Sequence, residues 1–231
     1  MEPLSVAVVI PALNEAEAIG AVIAEIPRAL GAEVIVVDGG SSDGTAEAAA
    51  AAGARVIRPE GLGYGRACAA GADAAADSRG IVVFMDGDGA DRGDLMRLLV
   101  EPIARGSYDF VIASRARGAR ETGAMSWHQL AAGYLAGLGI GALYGTRYTD
   151  MCAYRAIRRD CLRRLGMRET GYGWNIEMQM KAARQRLRIL ELPMPYRRRR
   201  GGHSKVAGSL GGTLRAGSRI IATFLRVAAA G

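Results

Sequence analysis

Two aspartates, Asp86 and Asp88, stand one residue apart around Gly87, directly after the apolar run IVVFM. Carboxylates spaced this way on a turn can share a divalent cation, and hard oxygen donors suit Mg²⁺ or Mn²⁺. Such a site leaves positions open for substrate phosphates and neutralises the charge on a departing diphosphate. Asp91 reads either as a further ligand or as the cap of the next helix. An acidic turn in solvent is the bland alternative, and the place of the pair at the end of an apolar run favours the metal. Three more apolar runs stop in polar residues. They are Pro11 with Asn14 and Glu15, Asp38 with Asp43, and Ser114 with Arg115. Late in the chain a basic run, 197–200, precedes the segment GGHSK at 201–205. Arginine offers phosphate a planar fork and lysine a point charge, and glycine allows close backbone approach.

These residues need elements to hold them on one edge. Residues 6–10 (VAVVI), 34–37, 55–57, 81–85 and 110–113 read as short buried strands. Between them, Ile19, Val22, Ile23 and Ile26 recur at helical spacing, and helices are also predicted over 46–52, 65–76 and around Leu95, Leu98 and Leu99. Strand and helix in alternation predict an α/β fold, a Rossmann-like and mostly parallel sheet with helices on both faces. Ligands of such sheets bind at the carboxyl ends of the strands, where the polar residues gather. Later segments predict a helix over 174–185, a strand over 187–192 and a closing amphipathic helix over 214–227. Residues 1–207 are expected to form one domain and 208–231 a helical extension.

Composition narrows the partners. The chain has 231 residues, half of them hydrophobic, and a net charge of +7 with arginine far outnumbering lysine. That balance asks for an anionic partner. Nucleic acid is disfavoured, because Tyr196 alone accompanies the basic run and no nucleic-acid module is visible. Cys68, Cys152 and Cys161 form no CxxC pair and read as free thiols in a reducing compartment. His128 and His203 lie too far apart in sequence to suggest a two-histidine metal site. No basic leader is seen at the start, and the glycine-rich run 130–145 falls short of the ~20 residues a spanning helix needs. A cytoplasmic protein is expected.

VVIPALNE, VVDGGSSDGT, VVFMDGDG and GWNIEMQMKAA together resemble family 2 glycosyltransferases of the GT-A fold, over nearly the whole chain. Within the family they are most similar to the synthases that charge dolichol or polyprenyl phosphate with one mannose or glucose. The resemblance implies a nucleotide diphosphate sugar as donor and a role in building the cell envelope. It places Pro11, Asn14, Glu15 and Asp38 near the nucleoside, with Asp43 in the turn that shapes the pocket. Asp86, Gly87 and Asp88 would hold the metal and the sugar diphosphate. Arg115, Arg155, Arg199, Ser204 and Lys205 match phosphate positions, Asp150 is placed to orient Arg155, and Glu177 matches a carboxylate near the acceptor. Two departures stand out. Gly39 replaces a second aspartate beside Asp38, and Ala90 stands where relatives carry a polar side chain near the metal.

The acceptor decides the mechanism. A phosphate monoester is largely ionised at neutral pH, its second pKa being about 6, and needs no strong base. A hydroxyl acceptor would need a carboxylate in reach, with Glu177 and Asp150 as candidates and Asp88 as the catalytic metal carboxylate. The basic cluster favours inverting transfer to a polyprenyl phosphate. Rival readings are transfer to a soluble or glycan hydroxyl, a nucleotide-sugar-forming nucleotidyltransferase, and a non-catalytic nucleotide-binding protein. The nucleotidyltransferase lacks its glycine-rich basic signature after the first strand. Peripheral attachment to the cytoplasmic membrane face is expected through the 130–145 helix and through Arg215, Arg219 and Arg226, and a homodimer is left open.

Overall fold

The computed structural model describes residues 5–61, 63–201 and 210–230. Its centre is a seven-stranded sheet in the order β3-β2-β1-β4-β6-β5-β7. The strands are β1 (Val6–Ala12), β2 (Glu33–Asp38), β3 (Arg55–Ile57), β4 (Ile81–Phe84), β5 (Phe110–Ser114), β6 (Arg155–Arg158) and β7 (Ile189–Pro193). All neighbours pair in parallel except β6, which runs antiparallel to both β4 and β5. The parallel strands were expected; the antiparallel β6, with the helix α6 (Arg159–Leu165) that follows it, was not.

Continuous apolar runs become central strands because both faces are covered. Residues 6–10 of β1 are fully buried. On one helix, α1 (Ala16–Glu25), the Ile19, Val22 and Ile23 face is buried as its spacing predicts. Further along, α3 (Tyr64–Ala74) lies so close to the sheet that a Cβ on Gly71 would meet Val9 Cγ1 at 2.3 Å. The remaining helices are α2 (Thr45–Ala51), α4 (Met96–Ala104), α5 (Trp127–Tyr144), α7 (Trp174–Arg184) and α8 (Leu210–Ala229).

The glycines of α5 serve packing. A Cβ on Gly137 would overlap the Tyr148 carbonyl at 1.8 Å, so the helix rests directly on the backbone that leads to Asp150. Its other face is open to solvent, with Trp127 76% exposed and Tyr134, Leu135, Leu138 and Leu143 also exposed. No helix among the described residues is long and apolar enough to cross a membrane.

Two of the three α8 arginines expected to face a membrane are engaged by carboxylates of the fold. Arg219 Nε donates to Glu169 Oε1 at 2.7 Å, and Arg226 Nη2 reaches Glu169 Oε2 at 3.2 Å and its Nη1 reaches Glu177 at 3.5 Å. Thr223 completes the contact with a 2.8 Å bond to Glu169. Buried carboxylates need such partners, and Arg219 and Arg226 supply them to Glu169, while Glu177 has Lys181 as well. The helix therefore docks on α7 as part of the fold. Leu214, Ile221 and Leu225 are exposed on it together with Arg215.

Candidate active site

The carboxyl ends of β1, β2 and β4 form one edge, as the parallel topology requires. At the end of β1, Asn14 adopts a left-handed conformation (φ 52°). Its amide N–H donates to Ser41 Oγ and its Oδ1 accepts from the Ser42 N–H, both at 2.9 Å. Asp43 accepts from the Ala16 N–H at 3.1 Å and from Thr45, whose hydroxyl also takes the Glu15 N–H at 2.8 Å. Asn14 and Asp43 thus tie the two strand-end loops into one wall. Asp38 closes β2 with its side chain buried. Its Oδ1 accepts the Ser41 N–H at 2.9 Å and its Oδ2 the Arg58 Nε–H at 2.8 Å. Burial alone would raise this carboxyl, and the Ser41 and Arg58 hydrogen bonds outweigh it, so Asp38 stays ionised below the ordinary carboxylate range.

The turn after β4 collects negative charge. Asp91 is 4% exposed and its Oδ2 accepts the Asp86 N–H at 3.1 Å. Asp88 Oδ1 accepts the Ala90 N–H at 3.0 Å, which leaves Oδ2 outward. Burial, then Asp91 and Asp88, push the Asp86 carboxyl well up, and burial is the main cause that takes Asp91 to about 7. Crowded carboxylates with raised pKa values are what a site for a cation looks like electrostatically. Among the described residues no third histidine, cysteine or carboxylate completes a protein cage. Two aspartates with open positions fit Mg²⁺ or Mn²⁺ bound jointly with phosphate oxygens. Asp91 acts here as a brace for the turn.

Cations face this turn from two directions. Arg115, after β5, is held by Asp150 through its backbone N–H at 2.9 Å and a two-pronged contact at 2.8 Å, and its guanidinium stacks on Tyr196 at 5.1 Å. A strap after β7 then crosses the acidic turn. Arg197 N–H donates to the Ala90 carbonyl and Arg200 N–H to the Asp88 carbonyl, while Arg197 pairs with Glu25 at 2.6 Å. Arg199 sits between them, 2.8 Å from Glu15 and 3.9 Å from Asp88 Oδ2.

The sequence pattern of glycosyl transferase family 2 matches residues 7–166. The chain belongs to that family. It is 37% identical over 218 residues to an uncharacterized glycosyltransferase of Mycobacterium tuberculosis, covering 91% of this chain and 93% of the other. It is 36% identical over 199 residues to a dolichyl-phosphate hexose transferase of Haloferax volcanii, covering 84% of each. Among solved structures it resembles the glucosyl-3-phosphoglycerate synthase of Mycobacterium tuberculosis in complex with Mn²⁺, UDP-glucose and phosphoglyceric acid. The TM-score is 0.77 at 26% identity, over 97% of this chain and 80% of that one.

The structure of this glycosyltransferase brings Pro11, Asn14, Glu15, Asp38, Asp43, Asp86, Gly87, Asp88, Arg115 and Arg199 to the expected edge. Others lie elsewhere. Arg155 is fully buried, and its guanidinium donates to the carbonyls of Cys152, Ala153 and Asn175. It holds the backbone under the site and presents no fork to a phosphate. Asp150 orients Arg115, where Arg155 was expected. Glu177 is fully buried; it accepts the backbone N–H of Arg168 at 3.0 Å and Glu169 at 2.7 Å and pairs with Lys181 at 2.9 Å. That is a brace between α7 and the preceding loop, away from solvent. Ser204 and Lys205, like His203, lie outside the described residues. Two contributors were missed, Arg58 and the ring of Tyr196. Arg58 follows the third apolar run, a strand of three residues whose end was not read for polar groups.

Proposed function

We propose that this glycosyltransferase moves one sugar, with inversion, from a nucleotide diphosphate sugar to the phosphate of a polyprenyl phosphate. Asp38 with Arg58 would read the base edge, offering an acceptor and donors side by side. Asp86 and Asp88 would hold Mg²⁺ or Mn²⁺, which when bound offsets the charge of the departing nucleotide diphosphate. Arg115 and Arg199 would place the acceptor phosphate opposite the leaving group, Arg115 being locked in direction by Asp150 and Tyr196. The observation that carries the reading is the engagement of Asp150, whose two oxygens accept three N–H groups of Arg115 at 2.8–2.9 Å. Burial would raise its carboxyl, and the Arg115 contacts outweigh this and favour the ionised form, which makes it a poor base. An acceptor that arrives ionised needs none. The polyprenyl class is supported by the Haloferax volcanii relative. A second reading, transfer to a hydroxyl of a small phosphorylated acceptor, is supported by the phosphoglyceric acid complex of the structural neighbour.

Nucleotide recognition is testable on its own. Asp38→Ala should weaken binding of the free nucleoside diphosphate about tenfold or more in calorimetry, as loss of a charged hydrogen bond implies. Arg58→Ala should weaken it less. Unchanged affinity in both variants would put the base elsewhere.

Access to a lipid acceptor would come from the apolar residues of α5 and α8. Leu214, Ile221 and Leu225 recur at helical spacing, and burying one such side chain contributes roughly 1.5–3 kcal/mol. Since Arg219 and Arg226 are engaged with glutamates, attachment to vesicles should depend mainly on these apolar groups and only weakly on salt. The double variant Ile221→Glu/Leu225→Glu should stay in the soluble fraction when the parent floats with vesicles. Equal flotation of the two would remove α8 from the interface.

A further inference from the structure

At the opposite edge of the sheet from the acidic turn, five arginines surround an open cleft of about 700 Å³. Arg79, Arg158, Arg159, Arg163 and Arg164 line it together with Asp77 and Asp160. Here β1 and β4 begin and the antiparallel β6 ends: Ile81 pairs with Arg158, and the Arg159 N–H donates to the Gly80 carbonyl at 2.9 Å. Asp86 lies five residues further along the chain from Ile81, roughly 16 Å at ~3.3 Å per strand residue. The cleft shares no residue with the site described above.

Its charges do not balance locally. Asp77 serves both Arg163, at 2.8 Å, and Arg159, at 3.5 Å. Asp160 serves both Arg158, at 3.0 Å, and Arg164, at 2.9 Å. Arg79 has Glu33 only at 3.6 Å and donates to the Gly31 carbonyl at 3.1 Å. The nearest further carboxylate, Asp109, lies 3.6 Å from Arg158 and is already bound by Arg188 at 2.7 Å. The decisive residue is Arg159. It is 7% exposed, yet its Nε and Nη2 have no hydrogen-bond partner, and its contact with Asp77 is long and made to a carboxylate that is itself 89% exposed. A desolvated guanidinium with donors unmet is costly unless something else completes it.

We infer that this cleft binds a phosphate-bearing anion at a second site, distinct from the donor and acceptor positions. Five guanidinium groups share Asp77 and Asp160, and the two further carboxylates near them, Glu33 and Asp109, are also claimed by Arg55 and Arg188, so an excess remains that a single carboxylate ligand would meet poorly. A phosphate monoester or diphosphate carries about two charges or more and presents several oxygens to converging forks. A phosphorylated metabolite offers this chemistry in full, and the phosphodiester headgroup of an anionic lipid offers phosphate oxygens with one charge.

The test uses the full chain at low ionic strength with chelator present. Inorganic pyrophosphate is titrated calorimetrically into the parent protein, Arg163→Ser/Arg164→Ser and Arg199→Ser. Arg163 and Arg164 are 66% and 57% exposed at the side chain, so their removal should leave the melting temperature nearly unchanged. If the double variant melts much lower, Arg163→Ser alone carries the comparison. The same proteins are floated with vesicles of phosphatidylcholine with and without phosphatidylglycerol. The expected result is binding that weakens at least tenfold in the arginine double variant and not in Arg199→Ser. Loss with pyrophosphate identifies a soluble phosphate ligand, and loss only with phosphatidylglycerol vesicles identifies a headgroup. Binding of both probes that ignores Arg163 and Arg164, or that falls only in Arg199→Ser, overturns the inference.

Discussion

Asp88→Asn is expected to lower glycosyl transfer by about 100- to 1,000-fold, the cost typical of removing one group that stabilises developing charge. Asparagine can still accept the Ala90 N–H through its side-chain oxygen, so the turn should survive. The loss should appear in turnover, and isothermal titration should show weakened Mn²⁺ binding with the melting temperature kept. The companion Asp86→Asn should also lose transfer while the metal-free protein melts higher than the parent. In the parent the native state holds protons on Asp86 and Asp91 that the unfolded chain has already released. Stability of the metal-free protein therefore falls as pH rises from the unfolded carboxylate value through about 7, and Mn²⁺ should restore it. Full activity of Asp88→Asn in excess chelator would remove the metal from this site.

The second large effect belongs to Asp150. Asp150→Ala should cost about 3–5 kcal/mol of stability, because it strands the charge of Arg115, whose side chain is 16% exposed beside an Asp150 side chain at 2%. Asp150→Asn keeps an acceptor for Arg115 and should retain much of the fold. Its transfer should drop chiefly through weaker acceptor binding, with KM raised more than kcat falls, and Arg115→Lys should show the same split. The acidic limb of the pH–rate profile should be unchanged in Asp150→Asn, since it follows ionisation of the acceptor phosphate near 6. Disappearance of that limb in Asp150→Asn, with KM intact, would make Asp150 the general base and favour a hydroxyl acceptor.

The strands β1, β2, β4 and β5 were legible because each is an apolar run that stops at a polar group, and burial on both faces is written in composition. β6 was not. Its sequence RAIR has an arginine at each end, and it forms a strand only because β4 and β5 pair with it on either side, a long-range fact. The same distance explains α8. Arg219 and Arg226 look like part of a membrane face until Glu169 and Glu177, about 50 positions earlier, are folded beneath them. The acidic turn was legible as a carboxylate pair at a strand end, from its spacing together with the apolar run before it. The wall built by Asn14 and Asp43 was readable in place but not in role, because its hydrogen bonds run between two loops whose closeness follows from β1 lying beside β2.

Transfer from labelled UDP- and GDP-sugars, with Mn²⁺ and either a polyprenyl phosphate or 3-phosphoglycerate as acceptor, tests the central reading most directly. The expected result is label in an organic-extractable product that forms only with the polyprenyl phosphate, is released by mild acid, and disappears in Asp88→Asn. Label that stays in the aqueous phase and forms only with 3-phosphoglycerate would contradict the lipid acceptor and establish the soluble one.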